Sequence, residues 1–224
     1  MGLDRTLMGL YEALRAAFGH RDWWPGETPF EVMVGAILTQ RTSWRNVEKA
    51  VEALREARVL EPAELAGIRP DRLEELVRPA GYFRQKSARL LALCKWLMDR
   101  TDGDLGALAP VPTDELRAEL LGIRGIGPET ADSILLYALE RPTFVVDTYT
   151  HRVVARHGLL EPGAGYYDLK ALFEAHLPDD VELYKDYHAQ LVELGKRHCR
   201  PRPRCSGCPA LAVLGEPIPD EELL

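Results

Sequence analysis

The chain has 224 residues, 46% of them hydrophobic and 28% charged, which suits a packed protein with its own core and argues against bulk disorder. Its 28 Lys and Arg against 35 Asp and Glu leave a net charge of -7, so the total does not advertise a nucleic-acid partner. No apolar run can span a bilayer, Val32–Leu38 being far too short, and the opening residues lack the basic-then-apolar order of a secretory leader; the expectation is a soluble, cytoplasmic chain with no membrane partner.

The pattern predicts helices nearly throughout, in the order that follows. Leu3, Leu7, Leu10, Leu14 and Phe18 recur at three- and four-residue steps, as in one amphipathic helix. His20–Pro29 breaks it, with Pro25, Gly26 and Pro29 as punctuation. Glu31–Gln40 reads as a short helix buried on most sides, because Val32 to Leu38 leave no polar face. Arg45–Arg58 aligns Val47, Val51 and Leu54. Pro62–Ile68 and Asp71–Val77 are short, and Gln85–Met98 is longer, with Leu90, Leu91, Cys94, Leu97 and Met98 as its stripe. Thr113-Asp114-Glu115 is expected to cap a helix to Leu121. Glu129–Leu139, Thr148–His157, Tyr167–His176 and Glu182–Gly195 complete the set. No segment alternates long enough to predict a strand, so the expected class is all-α.

Charge is unevenly spread. Lys196, Arg197, Arg200, Arg202 and Arg204 fall together with no acid among them, whereas Glu216–Glu222 holds four acids. An acidic chain can carry one basic footprint of this kind.

The most informative stretch is Leu120-Leu121-Gly122-Ile123-Arg124-Gly125-Ile126-Gly127-Pro128-Glu129-Thr130-Ala131. A helix ends, a tight turn follows, and Pro128 occupies the first turn of the next helix, where its missing N–H is tolerated. Gly125 and Gly127 allow a close turn that exposes backbone amides at a helix start, an arrangement suited to a phosphate oxygen. A plain helix–turn–helix elbow has the same pattern. No Walker lysine follows, which removes a P-loop.

With Phe144-Val145-Val146-Asp147-Thr148-Tyr149-Thr150-His151-Arg152-Val153 one helix later, this hairpin resembles the helix-hairpin-helix glycosylase superfamily of endonuclease III-like DNA repair enzymes, over nearly the whole chain. The resemblance implies a two-lobed helical fold with a DNA-binding cleft between the lobes: a central domain over 25–140 containing the hairpin, and a second made of 1–24 with 141–224. It implies that Asp147 is the catalytic carboxylate. A fixed anion beside C1′ stabilises oxocarbenium-like charge and can deprotonate the attacking water, although Asp before Thr is also an ordinary helix N-cap. It implies DNA contacts from Gly125, Gly127 and Thr130, and a structural K+ or Na+ at the carbonyls of Leu121, Ile123 and Ile126. Bifunctional members carry a lysine where this chain has Glu129, and a carboxylate cannot form the imine of a lyase. Lys86 is another amine, but nothing in the sequence places it beside C1′.

His20-Arg21-Asp22-Trp23-Trp24-Pro25-Gly26 holds half of the four tryptophans, and Trp44 follows the buried helix. An enzyme acting on a base must house it outside the stack, and electron-rich indoles favour a base made cationic by alkylation; plugging the core is the plainer use of Trp23 and Trp24. Within the superfamily, Trp23, Trp24, Pro25 and Trp44 are similar to the base pocket of the 3-methyladenine DNA glycosylase III branch. The same comparison makes Gln40 the residue that fills the gap left by the extruded nucleotide and Tyr82 the wedge into the opposite strand, where lost stacking must be replaced.

Cys199, Cys205 and Cys208 sit where many members of the superfamily hold a [4Fe–4S] cluster. The fourth position is Leu214, and cluster ligation requires four ligands. Zinc with His188 or His198 as the fourth donor is the other metal reading. The loop is instead expected to pack and to offer Arg200, Arg202 and Arg204 to DNA phosphates.

The resulting expectation is a monofunctional DNA glycosylase, needing no cofactor for its chemistry, that hydrolyses the N-glycosidic bond of alkylated purines in damaged double-stranded DNA, as a monomer. The rival readings are a glycosylase/AP lyase, a uracil or thymine mismatch glycosylase, and a non-catalytic DNA-binding protein.

Overall fold

The expected all-helical pattern is realised in the computed structural model, which describes residues 2–21 and 23–218. Asp22 of the tryptophan stretch and the acids Asp220, Glu221 and Glu222 lie outside the described residues, among which there is no strand. No described helix is long and apolar enough to cross a membrane. The helices are α1 (Leu3–Phe18), α2 (Pro29–Leu38), α3 (Trp44–Glu56), α4 (Pro62–Gly67), α5 (Pro70–Val77), α6 (Phe83–Thr101), α7 (Thr113–Gly122), α8 (Pro128–Ser133), α9 (Thr148–Arg156), α10 (Tyr166–His176), α11 (Val181–Arg197) and α12 (Leu211–Leu214). They fall into two compact units, the described residues of Trp24–Arg141 and those of Met1–Trp23 with Pro142–Leu224.

In the unit Trp24–Arg141, α2 is the central element, and every residue from Phe30 to Leu38 is buried. It starts two residues before the predicted Glu31 because Pro29 takes the first position and the Thr28 hydroxyl accepts from the Glu31 amide at 3.1 Å. It stops at Leu38, which leaves Gln40 in the turn beyond it rather than inside the helix. The Glu31 carboxylate inside this apolar helix is matched by Arg55, whose Nη2 lies 3.0 and 2.9 Å from its two oxygens. Helices α3 and α6 pack on α2, as does the segment Ile134–Ala138, which prolongs α8 with wider π-type turns. The expected capping role of Thr113-Asp114-Glu115 is not observed. Pro112 precedes α7 without a side-chain cap, and Asp114 and Glu115 instead lie in the first turn, where negative charge suits the helix dipole.

The other unit is organised by α11, which packs on α1 and α9. Phe144 and Phe173 stack with centroids 4.1 Å apart, and the fully buried Tyr187 meets both rings edge-on. A buried carboxylate, Asp186, accepts from the Tyr11 hydroxyl at 2.8 Å, the Arg21 amide at 2.9 Å and Gln190 Nε2 at 3.0 Å. Burial, together with this bond to Asp186, pushes the Tyr11 hydroxyl up to about 12. A buried charge needs such multiple partners, and here they anchor the chain just before Trp23.

Candidate active site

The hairpin joins α7 to α8 through Ile123–Gly127. Ile126 N donates to Ile123 O at 3.0 Å, closing the turn, and both isoleucines are buried. Gly125 has φ +92°, and a Cβ there would lie 2.5 Å from Cγ and Nε of Arg89, so both backbone conformation and space demand glycine. Gly127 is different: it is extended, and nothing lies within 4 Å of a Cβ built on it. Across the hairpin, Arg117 grips the fully buried Asp132 through two bonds, at 2.7 and 3.0 Å. Removing one partner of such a buried pair costs about 3–5 kcal/mol. The hairpin therefore presents its turn from a rigid base.

Asp147 ends the buried run Phe144-Val145-Val146 and caps α9. Its two oxygens have different surroundings. Oδ1 accepts from the amides of Tyr149 and Thr150 at 2.9 and 2.8 Å and from the Thr150 hydroxyl at 3.0 Å. Oδ2 faces Nε2 of His188, on α11, at 3.6 Å. Burial raises the carboxyl, but the neighbouring His188 imidazole and the bonds of Thr150 outweigh it and hold Asp147 below its ordinary value of 3.8. The Asp147 carboxylate is thus stabilised in place as an anion. Sequence reasoning weighed His188 only as a zinc ligand; its place beside Asp147 depends on how α9 packs on α11, for which there is no local signal.

The aromatic residues divide. Trp24 and Trp44 meet edge to face with centroids 5.4 Å apart, and Trp24 also packs against Tyr137 at 5.4 Å and over Gly35. With Pro25 they line a cavity of about 720 Å³, ample for a purine. Trp44 Nε1 donates to Glu48 at 3.1 Å. Trp23 belongs to the other unit, where its ring carries the Lys196 ammonium 5.5 Å from its centroid. The structure thus brings together three of the four expected pocket residues.

Gln40, Tyr82, Glu129 and Thr130 line a second cavity, of about 530 Å³, together with Lys86 and Arg89. Gln40 Nε2 donates to Gly125 O at 3.2 Å and to Thr130 Oγ1 at 2.9 Å, while Arg89 donates to Gln40 Oε1. Thr130 is buried, so its hydroxyl holds Gln40 rather than facing outward. Glu129, at the lyase-lysine position, is exposed. Tyr82 is 59% exposed and has φ 45°, a left-handed conformation that is uncommon for a residue with a side chain. The Lys86 ammonium is fully buried and donates to Leu38 O at 2.8 Å and Ala80 O at 2.7 Å.

In the C-terminal loop, Arg200, Arg202 and Arg204 are exposed. The cysteines do not fit a [4Fe–4S] cluster. Cys199 Sγ accepts from the Arg156 guanidinium at 3.4 Å, Leu214 stands at the fourth position in α12, and the cavity lined by Cys199, Cys205 and Cys208 measures about 20 Å³, room for about one water. Among the described residues, no three His, Cys, Asp or Glu side chains are arranged to hold a metal. Of the two histidines weighed as zinc ligands, His198 lines the same cavity with its Nδ1 3.0 Å from Arg204 O, whereas His188 stands beside Asp147. Arg156 organises the loop instead, donating to Arg200 O at 2.6 Å and Pro201 O at 3.0 Å.

Known proteins similar to this chain identify its family. The family model described as HhH-GPD superfamily base excision DNA repair protein matches residues 34–178. A protein of Methanocaldococcus jannaschii, named provisionally as a DNA repair glycosylase, is 47% identical over 202 residues, covering 89% of this chain and 91% of its own length. Endonuclease III of Thermotoga maritima is 34% identical over 181 residues, 80% of this chain and 79% of its own. Among solved structures, H. pylori 3-methyladenine DNA glycosylase bound to 1,N6-ethenoadenine superposes with a TM-score of 0.74 at 29% identity, covering 88% of this chain and 98% of that one.

Proposed function

The chain belongs to the HhH-GPD superfamily of base excision DNA repair proteins and is a DNA glycosylase, and from that premise we propose that it is monofunctional and hydrolyses the N-glycosidic bond of alkylated purines such as 3-methyladenine. The observation that carries the reading is the division of labour at Asp147. Oδ1 is spent on the helix cap, and Oδ2, which faces His188 at 3.6 Å, is the oxygen that would meet the sugar. As the C1′–N bond breaks, its electron pair goes to the base, so a cationic alkylpurine leaves neutral. Asp147 stabilises the charge left on C1′. Water then bonds to C1′ and gives its proton to the carboxylate, leaving an abasic site.

Trp24, Pro25 and Trp44 would house the base, their indoles favouring a cation. The similarity to a 3-methyladenine DNA glycosylase supports that substrate class. The hairpin amides at Gly125 and Gly127 would take phosphate oxygens, and Arg200, Arg202 and Arg204 would add charge-based grip without reading sequence. A monovalent cation at the hairpin would be held by the carbonyls of Leu121, Ile123 and Ile126, of which Ile123 O also accepts from Ile126 N, and would supply positive charge toward a phosphate. Gln40 and Tyr82 would enter the duplex where the base has left.

Similarity to Thermotoga maritima endonuclease III favours a second reading, a glycosylase/lyase; Glu129 in place of the lysine opposes it. Incubation with duplexes carrying defined lesions separates the two. Release of alkylated purine, strand breaks only after alkali and no borohydride-trapped complex are expected. Nicking without alkali, or a trapped complex, would overturn the monofunctional reading.

A further inference from the structure

Lys86 is an unusual residue to find fully buried, because taking an ammonium out of water is costly unless it is well paired. Its partners are two backbone carbonyls, each at the end of a helical segment. Leu38 O belongs to the last residue of α2, two residues before Gln40. Ala80 O belongs to the last residue of the 3-10 turn Arg78–Ala80, two residues before Tyr82. Lys86 also reaches Tyr82 through its main chain, its N–H donating to Tyr82 O at 3.0 Å. One residue thus ties together the two short segments from which Gln40 and Tyr82 project into the same cavity of about 530 Å³.

One further observation and one physical argument favour a functional use for this tie. Tyr82 holds a left-handed backbone while exposing most of its ring; such conformations persist where the surroundings over-determine them, commonly at functional sites. A tie by hydrogen bonds is directional, so it sets a separation, whereas a methionine of similar size would only fill the space. We propose that Lys86 is a positioning residue that fixes the spacing of Gln40 and Tyr82 and thereby governs the opening of the duplex around the target base. The inference rests on the reading of Gln40 and Tyr82 as DNA-inserting residues.

The test follows duplex opening without depending on base release. A duplex with 2-aminopurine at the target position is titrated with wild type, Gln40→Ala, Tyr82→Ala, Lys86→Met and Lys86→Gln, and binding is followed in parallel by anisotropy. Thermal melting checks the fold. Lys86→Gln keeps a buried donor and carries the test if Lys86→Met does not fold. The wild type is expected to raise the fluorescence, and Lys86→Gln to lose about ten-fold of the opening equilibrium, since displacements near 1 Å can cost far more than that. Its affinity for the duplex should change less than about two-fold, and a duplex with the target base in an unpaired bulge should restore wild-type behaviour. Equal losses on paired and bulged DNA, or an undiminished opening signal, would overturn the assignment of Lys86 alone. No signal with the wild type, or a full signal in both Gln40→Ala and Tyr82→Ala, would show that the insertion reading has failed and would remove this inference with it.

Discussion

Replacing Asp147 by asparagine should separate the two roles that share one side chain. Asparagine keeps a carbonyl oxygen where Oδ1 accepts from the Tyr149 and Thr150 amides and the Thr150 hydroxyl, and it is as good an N-cap as aspartate. What it loses is charge. The loss from the helix dipole is about 0.3–1 kcal/mol, so Asp147→Asn should unfold within about 1 kcal/mol of wild type. Asp147→Ala removes the cap as well and should cost a further ~1–2 kcal/mol. For the reaction, an anion about 4 Å from a developing positive charge is worth ~4 kcal/mol at an effective dielectric of about 20. That corresponds to roughly a thousand-fold in rate. Urea unfolding and single-turnover release of 3-methyladenine from the same preparations measure both quantities. If Asp147→Asn keeps more than about a tenth of the wild-type rate, the carboxylate is not the group that stabilises the sugar. If it unfolds as easily as Asp147→Ala, the charge rather than the cap geometry holds the start of α9.

Gly125→Ala should destabilise by at least ~1–2 kcal/mol, the cost of a left-handed residue, and should weaken duplex binding because Arg89 must also move. Gly127→Ala, extended and uncrowded, should leave stability nearly unchanged, and the reverse order in urea unfolding would contradict the hairpin geometry. Trp44→Ala should raise the half-saturating concentration of lesion-bearing DNA by about ten-fold or more, since base–aromatic stacking is worth ~1–3 kcal/mol; equal kinetics would remove Trp44 from the pocket. The folded state holds the Asp147 carboxyl below 3.8, so its charge contributes stability above that value and loses it as pH falls through the lower folded value. The stability difference between wild type and Asp147→Asn should therefore shrink below about pH 4. A gap that stays constant from about pH 6 to pH 3 would mean that Asp147 titrates normally.

Legibility was uneven in a consistent way. Leu7, Leu10 and Leu14, with their helical spacing, announced α1, and the apolar run ending at Leu38 announced a buried α2. The boundaries drifted where capping was local but unweighed: Thr28 and Pro29 moved the start of α2, and Tyr82, in a left-handed conformation, moved the start of α6 to Phe83. Trp23 and Trp24 were grouped because they are neighbours in the chain. Neighbouring residues outside a helix need not share surroundings: Trp24 meets Trp44 in one unit, and Trp23 carries Lys196 in the other.

The sequence by itself determined what depends on nearby residues: the helical class, the Gly125 turn, Asp147 as the residue opening α9, and the lack of a fourth cysteine in the C-terminal loop. Tertiary structure alone decided which distant groups meet. His188 stands at Oδ2 of Asp147, Arg89 lies across Gly125 and holds Gln40, Lys86 joins Leu38 to Ala80, and Arg156 organises the cysteine loop. The physical reason is the range of the forces involved. Turn conformation and capping act over a few residues and leave a mark in the chain. A buried charge takes whichever partner the packing of helices brings within about 3 Å, and that partner's position in the chain carries no trace of the meeting.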